Sequence, residues 1–193
     1  VLNKAALFIG GRFLLTVVCF APFVISTGRV ASLSRFTEIA EVKNYSIDDK
    51  SIFFSSTMHD GPECPEVYKH PNPRKYIWPL RNYDIYKLSN SSNLKNLSLS
   101  NGYDAEATIH PKEEKIIFTS LRNGDIDLYE MDYEGNNLKR ITNKFGYDGG
   151  AFYSPNGEEI VWRAWYPTSD EDRAKWINNI NNNYIESVPL DIY

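Results

Sequence analysis

The sequence has little of what would place it in several common classes of protein. Its 193 residues include 2 cysteines, Cys19 and Cys64, which is too few for a disulfide framework. The formal net charge is −4, and the sequence has no cluster of Lys and Arg of the kind that binds a phosphate backbone. Both facts argue against a small disulfide-stabilised domain and against a nucleic-acid partner.

Sequence motifs of common active sites are also missing. There is no Gly-x-Ser-x-Gly nucleophile elbow, no glycine-rich phosphate loop and no His-Glu-x-x-His zinc motif. We therefore predict no catalytic residue, no resident metal and no cofactor.

A proline-rich stretch holds the other residues that could carry chemistry. His59, Cys64 and His70 are separated by five and six residues, which matches no common zinc template. A fourth ligand would have to come from an acid such as Asp60 or Glu63. The alternative is a stiff surface loop that packs Tyr76 and Trp78 over the domain, and this is the interpretation we adopt. It makes His59, Tyr76 and Trp78 candidate binding residues.

The N-terminal 31 residues differ in composition from the rest. Lys4 and Arg12 precede an uncharged apolar run from Phe13 to Ile25, and small residues follow it. This pattern is typical of a secretory signal peptide, and the run is short for a membrane span, which needs about 20 residues. We expect residues 1–31 to be a signal peptide or, if uncleaved, a membrane leader, so the protein would be periplasmic or otherwise exported. A buried core segment is the alternative.

An internal repeat is the most informative feature that is present. "GYDAEATIHPKEEKIIFTS" begins at Gly102 and "GYDGGAFYSPNGEEIVWRA" begins 44 residues later, at Gly146. Each copy reads as short strands separated by turn residues, and the first continues into "DIDLYEMD" and "LKRIT". A third, more divergent copy begins near "SIFFSST" at Ser51 and includes "YDIYKL" at Tyr83.

Four-stranded units at this spacing predict an all-β fold, a partial β-propeller of about three blades. We place the blades at residues 32–101, 102–145 and 146–193, with insertions at 58–82 and 165–190. The second insertion contains a helix-favouring stretch from Ser169 to Ile180. Because the last copy stops within its third strand, we expect the polypeptide to be truncated.

The repeat resembles those of a known family. "I-I-F-T-S" followed by "D-L-Y-E-M-D-Y-E-G-N-N-L-K-R-I-T" is similar to the WD-like propeller repeats of TolB, and related blades occur in prolyl-oligopeptidase-type peptidases. The resemblance covers about Glu38 to Tyr193. It implies a periplasmic, non-enzymatic propeller that binds protein or peptide partners in the cell envelope, with membrane contact only through an uncleaved leader.

Acidic residues recur where each innermost strand begins. Asp104, Glu106 and Asp148 could form an acidic ring that binds a ligand near the propeller channel. The simpler alternative is that aspartates at repeated positions cap the turns between blades. We favour this structural role and interpret Gly-Tyr-Asp as the joint between blades, while keeping the three acids as candidate binding residues.

Three functions remain open from the sequence. The first is a non-catalytic binding propeller. The second is a gating propeller of a larger peptidase or other hydrolase, whose catalytic part would lie elsewhere. The third, a carbohydrate-active propeller, would need paired carboxylates that face a channel.

Overall fold

The fold is taken from a computed structural model, which describes part of the chain. Residues 51–61, 76–89 and 93–193 are described in full, and residues 7–9, 12–17 and 39–45 are described as backbone strands. Cys64, His70 and most of the expected leader lie outside the described residues. The metal alternative for the first insertion is therefore untested.

Antiparallel strands make up most of the regular structure. They are β1 (Leu7–Ile9), β2 (Arg12–Val17), β3 (Ile39–Tyr45), β4 (Ser51–Ser56), β5 (Ile77–Pro79), β6 (Asp84–Ser89), β7 (Asn93–Asn96), β8 (Asp104–Ile109), β9 (Lys115–Ser120), β10 (Asp127–Asp132), β11 (Lys139–Arg140), β12 (Tyr147–Tyr153), β13 (Ile160–Trp165), β14 (Tyr184–Glu186) and β15 (Asp191–Ile192). A 3-10 turn spans Met58–Asp60, and helix α1 spans Asp170–Asn181.

These strands form three consecutive sheets and a separate ribbon. The first sheet has the order β1-β2-β3-β4-β6-β7, the second β11-β10-β9-β8 and the third β12-β13-β15. The second sheet is an up-and-down meander of four strands, as a propeller blade requires. The prediction of an all-β partial propeller is confirmed. Strands β1 and β2 fall within residues 1–31, and the signal-peptide assignment stays a prediction.

The sheets pack face to face through alternating side chains of their central strands. On β9, Ile116 and Phe118 pack with Phe53 and Ile85 of the first sheet. Ile117, on the opposite face of the same strand, packs with residues of the third sheet. Because both faces of the second sheet are covered, β9 is an uninterrupted apolar run rather than an alternating one.

In each of the first two sheets, a hydroxyl group links the last two strands in chain order. Ser98 Oγ accepts the Ile85 N–H at 2.9 Å and donates to Asp84 Oδ1 at 3.0 Å. In the next repeat, Thr142 Oγ1 accepts the Leu128 N–H at 2.9 Å and bonds Asp127. The short strands β7 and β11 are thus held by side chains as well as by backbone pairing.

The Gly-Tyr-Asp segments are the joints between sheets, as expected. The Gly102 N–H donates to Asn82 Oδ1 and the Gly146 N–H to Asp125 Oδ2, both at 2.9 Å. The two glycines have φ of +123° and +140°, where a residue with a Cβ is strained. The following tyrosines, Tyr103 and Tyr147, are buried in one apolar cluster. The glycines and tyrosines thus occupy the joints as expected, whereas the described contacts of the Asp104 and Asp148 carboxylates are to side chains rather than to turn amides.

Helix α1 begins where the sequence predicts. Ser169 is its N-cap, and the Ser169 Oγ accepts the Asp172 N–H at 3.1 Å. Within the described ranges, no helix has the length and hydrophobicity needed to cross a bilayer.

The two joint glycines differ in their surroundings, which gives a matched test. A Cβ at Gly146 would overlap the Trp165 carbonyl oxygen, whereas a Cβ at Gly102 meets only Leu121 Cβ at 3.9 Å. Both alanine variants carry the strain of a positive φ, about 1–3 kcal/mol. We expect Gly146→Ala to lower the free energy of unfolding by a further 1–3 kcal/mol or so in urea titrations. An equal loss of unfolding free energy in the two variants would contradict the close approach of Gly146 to the Trp165 carbonyl.

A surface carboxylate ties the first two sheets together. Glu134 accepts from Lys87 Nζ at 2.6 Å and from Lys95 Nζ at 2.9 Å. Hydrogen bonds from Lys87 and Lys95 lower the pKa of Glu134 to about 2. The folded pKa is therefore below that of the unfolded chain, so the stabilisation is present above about pH 4.3 and is lost as the pH falls towards 2.

We expect Glu134→Gln to lower the free energy of unfolding at pH 7 by less than about 1 kcal/mol, because the pair is exposed and screened by solvent. The difference from wild type should shrink as the pH falls from 4.3 to 2 and when salt is raised to about 1 M. Glu158→Gln, at another exposed carboxylate, is the control. A pH-independent difference would rule out the ionic explanation.

Candidate functional site

The two insertions, which are far apart in the sequence, meet in the structure. Strand β5 pairs antiparallel with β14, with Ile185 opposite Trp78. The Leu80 N–H also donates to the Asn183 carbonyl at 2.8 Å. The two places where the chain departs from its repeat therefore form one ribbon.

Helix α1 fixes this ribbon to the sheets. The indole N–H of Trp176, which is 2% exposed, donates to Asp125 Oδ1 at 2.8 Å, and its ring packs on Trp165 with centroids 5.6 Å apart. Lys175 Nζ lies 2.9 Å from Glu186 Oε2 on β14. The ribbon is thus braced from behind by the helix.

A cavity of about 260 Å³ lies between the ribbon and the sheet joints. The ribbon side contributes aromatic and aliphatic side chains, and the joint side contributes two tyrosines and an ion pair. The lining residues are Tyr76, Trp78, Leu80, Tyr103, Glu106, Ile126, Tyr147, Arg163, Ile185, Glu186, Ser187, Val188 and Leu190.

The ion pair joins the second and third sheets. Arg163 Nη2 donates to Glu106 Oε1 at 2.6 Å. The other oxygen, Glu106 Oε2, accepts from Thr119 Oγ1 at 2.9 Å, and that hydroxyl in turn accepts the Gly150 N–H at 3.1 Å. Glu106 is therefore fixed by neighbours on two sheets.

A pair of β-bulges places these groups. The pairing of β8 with β9 shifts register between Ala105 and Thr108, and that of β12 with β13 shifts between Gly149 and Phe152. Glu106 in the first bulge has φ of +58°, and Gly150, 44 residues later, has φ of +63°.

The two bulges have different residue types at the position with positive φ. A glycine adopts this conformation without strain, but a glutamate does so at a cost of about 1–2 kcal/mol. At Gly150 any Cβ would overlap the Arg163 guanidinium, so this glycine leaves the space through which Arg163 reaches Glu106. Strain held at one position in this way is typical of functional sites.

The tyrosines at the joint are neutral hydrogen-bonding groups. Burial raises the pKa of Tyr147 well above its usual value, and the adjacent negative charge of Glu106 raises it further. Burial likewise raises the pKa of Tyr103. Neither phenol ionises near neutral pH, so Arg163 and the carboxylates carry the charge at the cavity.

Three of the six candidate residues lie at this cavity. Glu106, Tyr76 and Trp78 line it, whereas Asp104 and Asp148 are buried beside the joints. Asp104 bonds Ser100 Oγ and Arg122 Nη2, and Asp148 bonds the Trp162 indole and the Tyr166 hydroxyl. These contacts hold the first strand of each sheet in place.

His59 occupies a different site, at the 3-10 turn. Its Nδ1 lies 3.1 Å from the Tyr86 hydroxyl, and its Nε2 lies 2.9 Å from Asn82 Nδ2. Asp60 and Asp84 are also close, with nitrogen–oxygen distances of 3.4 and 3.3 Å. Among the fully described residues, no group of three or more His, Cys, Asp or Glu side chains is arranged to hold a metal ion.

The sequence did not identify Arg163 as part of a site. It marked both insertions as places to look for function, but no single residue of the segment from Ile185 to Leu190. The repeat contains one indirect signal for the ion pair of Arg163 with Glu106. Glu106 aligns with Gly150 in the next copy, so the two copies carry different residue types at the same position. Nothing in the sequence indicates that the two insertions pair.

Comparisons with known proteins identify the fold. No protein-family model and no curated protein matches the sequence. The structure is similar to a protein described as a candidate TolB from Agrobacterium tumefaciens, with a TM-score of 0.50, 20% identity and coverage of 67% of this chain and 40% of that one. TolB from Acinetobacter baumannii matches with a TM-score of 0.49, 25% identity and coverage of 65% and 26%.

The first of these likenesses shows that the fold is that of a TolB-like propeller. The chain spans less than half of the length of either protein.

The strained glutamate can be tested with two variants that remove the same ion pair. Glu106→Gly also removes the left-handed strain, whereas Arg163→Gln keeps it and leaves a half-buried carboxylate without its cation. We expect the free energy of unfolding of Glu106→Gly to exceed that of Arg163→Gln by about 1–2 kcal/mol in urea titrations. Arg163→Gln being the more stable variant would mean that Glu106 is not strained.

Proposed function

We propose that this chain is a non-catalytic, exported propeller that binds a protein or peptide partner in the cell envelope. The contact surface in this proposal is the cavity beneath the β5–β14 ribbon. The propeller fold and the composition of residues 1–31 support export, and the cavity supports binding.

The observation that carries the proposal is the exposure of two aromatic side chains at the cavity. Tyr76 is 66% exposed and Trp78 is 43% exposed, although both lie beside buried apolar residues. Tyrosine, tryptophan and arginine dominate the binding energy of protein interfaces, and here all three types line one cavity.

The position of the cavity also favours binding. Its outer wall comes from inserted segments, and its inner wall comes from the sheet joints, which are fixed by buried hydrogen bonds. Inserted loops on a rigid scaffold are a common way to build a binding site. The aromatic residues can therefore meet a partner without reorganising the sheets.

The arrangement of Glu106 supports a non-catalytic role. A general base must lie within hydrogen-bond reach of the proton that it removes. Both oxygens of Glu106 accept hydrogen bonds from the protein, one from Arg163 and one from Thr119. The carboxylate therefore positions Arg163 rather than a reacting group.

Selection of peptides from a phage-displayed random library against the full chain tests the proposal. We expect enriched peptides to bind the Trp78→Ala variant at least about 30-fold more weakly than wild type, because loss of an interface tryptophan typically costs 2 kcal/mol or more. Binding would be measured by fluorescence anisotropy with synthetic copies of the peptides.

Leu138→Ala is the matched control, because Leu138 is an exposed apolar residue outside the cavity lining. It should leave peptide affinity unchanged. Enriched peptides that bind wild type and Trp78→Ala equally, or a selection that enriches none, would refute the proposed function.

A further inference from the structure

The chemical class of the ligand can be argued from the hydrogen-bonding groups at the cavity. This step rests on the proposed function and specifies which part of a partner enters. Charged groups make the strongest orienting contacts in such a site, and a group that already has partners has fewer hydrogen bonds left for a ligand.

The carboxylates offer little further capacity. Glu106 accepts from Arg163 and Thr119 and lies beside the Tyr147 hydroxyl. Glu186 at the rim lies 2.9 Å from Lys175 Nζ. An incoming ammonium group would therefore compete with contacts that already exist.

Arg163 is the exception. Only its Nη2 is bonded among the contacts described, although a guanidinium carries five N–H donors, and its side chain is 41% exposed. Its Glu106 contact holds the planar group in place over Gly150. The cavity thus presents a fixed cation with unused donors.

Aliphatic side chains make up much of the remaining lining. Leu80, Ile126, Ile185, Val188 and Leu190 surround the space beside Arg163. The volume of about 260 Å³ is below the roughly 300–1,000 Å³ of pockets that hold drug-sized ligands. It suits a single apolar residue.

We propose that the cavity binds the C-terminal residue of a peptide, with the α-carboxylate on Arg163 and an apolar side chain among the aliphatic wall residues. Planar carboxylates match the fork of an arginine, and the two nearby glutamates disfavour a dianion such as phosphate. A free apolar amino acid has the same carboxylate, but its ammonium group would have to share Glu106 with Arg163 and Thr119, which already donate to its two oxygens. A peptide, which lacks that charge beside its C-terminus, is therefore the better ligand.

The test uses the full chain and N-acetylated hexapeptides of sequence Gly-Ser-Gly-Ser-Gly-Leu, with either a free or an amidated C-terminus. Binding is followed by NMR through the indole N–H of Trp78, while that of Trp176, bonded to Asp125, serves as an internal reference. We expect the free acid to bind 10- to 100-fold or so more tightly than the amide, the range for hydrogen bonds to a charged group.

Variants assign the effect to one side chain. Arg163→Gln should remove the preference for the free acid, and Arg163→Lys should keep part of it, because the charge remains without the fork. Arg173→Gln, at a helix position where the guanidinium lies over Phe145, should leave the preference unchanged. The comparison of acid with amide on wild type needs no variant to fold.

The outcomes separate this inference from the proposed function. Equal binding of acid and amide, or no binding of either, overturns the C-terminal assignment, even if library peptides still depend on Trp78. Free leucine that binds as tightly as the peptide acid also overturns it, in favour of a small-molecule site. Library peptides independent of Trp78 would instead count against the proposed function.

Discussion

The carboxylate of Asp125 is the interaction on which most of the site depends. One oxygen accepts the Gly146 N–H and so fixes the joint to the third sheet, while the other accepts the Trp176 indole N–H and so fixes helix α1. Burial raises the pKa of this group, against the hydrogen bonds that favour its charged form. The joint contributes to one wall of the cavity and the helix supports the ribbon that forms another, so this side chain links the two.

The repeated parts of the molecule could be predicted because every sheet needs the same turn conformation and the same burial. The joint glycines, the buried tyrosines after them and the apolar run of β9 are imposed by backbone conformation and by burial on two faces, and both leave a local signature. The N-cap of α1 is equally local, since Ser169 bonds an amide three residues away. Such features can be read from a short window of sequence.

The cavity could be predicted only in part. Tyr76 and Trp78 were singled out, but for a loop packed over the domain rather than for a paired strand with exposed aromatic side chains. Glu106 was singled out for a ring of acids rather than for its ion pair. The partner Arg163 lies 57 residues away on another sheet, and its path depends on the missing Cβ of Gly150. Contacts of this kind depend on how the sheets stack, and the repeat pattern of the sequence does not show which side chains then meet.

The pairing of β5 with β14 has a consequence for how the molecule reaches its functional state. Ile77 and Glu186 lie more than 100 residues apart, so the ribbon closes a long loop, and such contacts form late because the chain must first give up much of its conformational freedom. The second sheet, whose strands follow one another directly, can form before the ribbon exists. We therefore expect the β5–β14 ribbon to form after the second sheet. A ligand that needs Tyr76 and Trp78 would then bind and stabilise only chains whose sheets are already stacked.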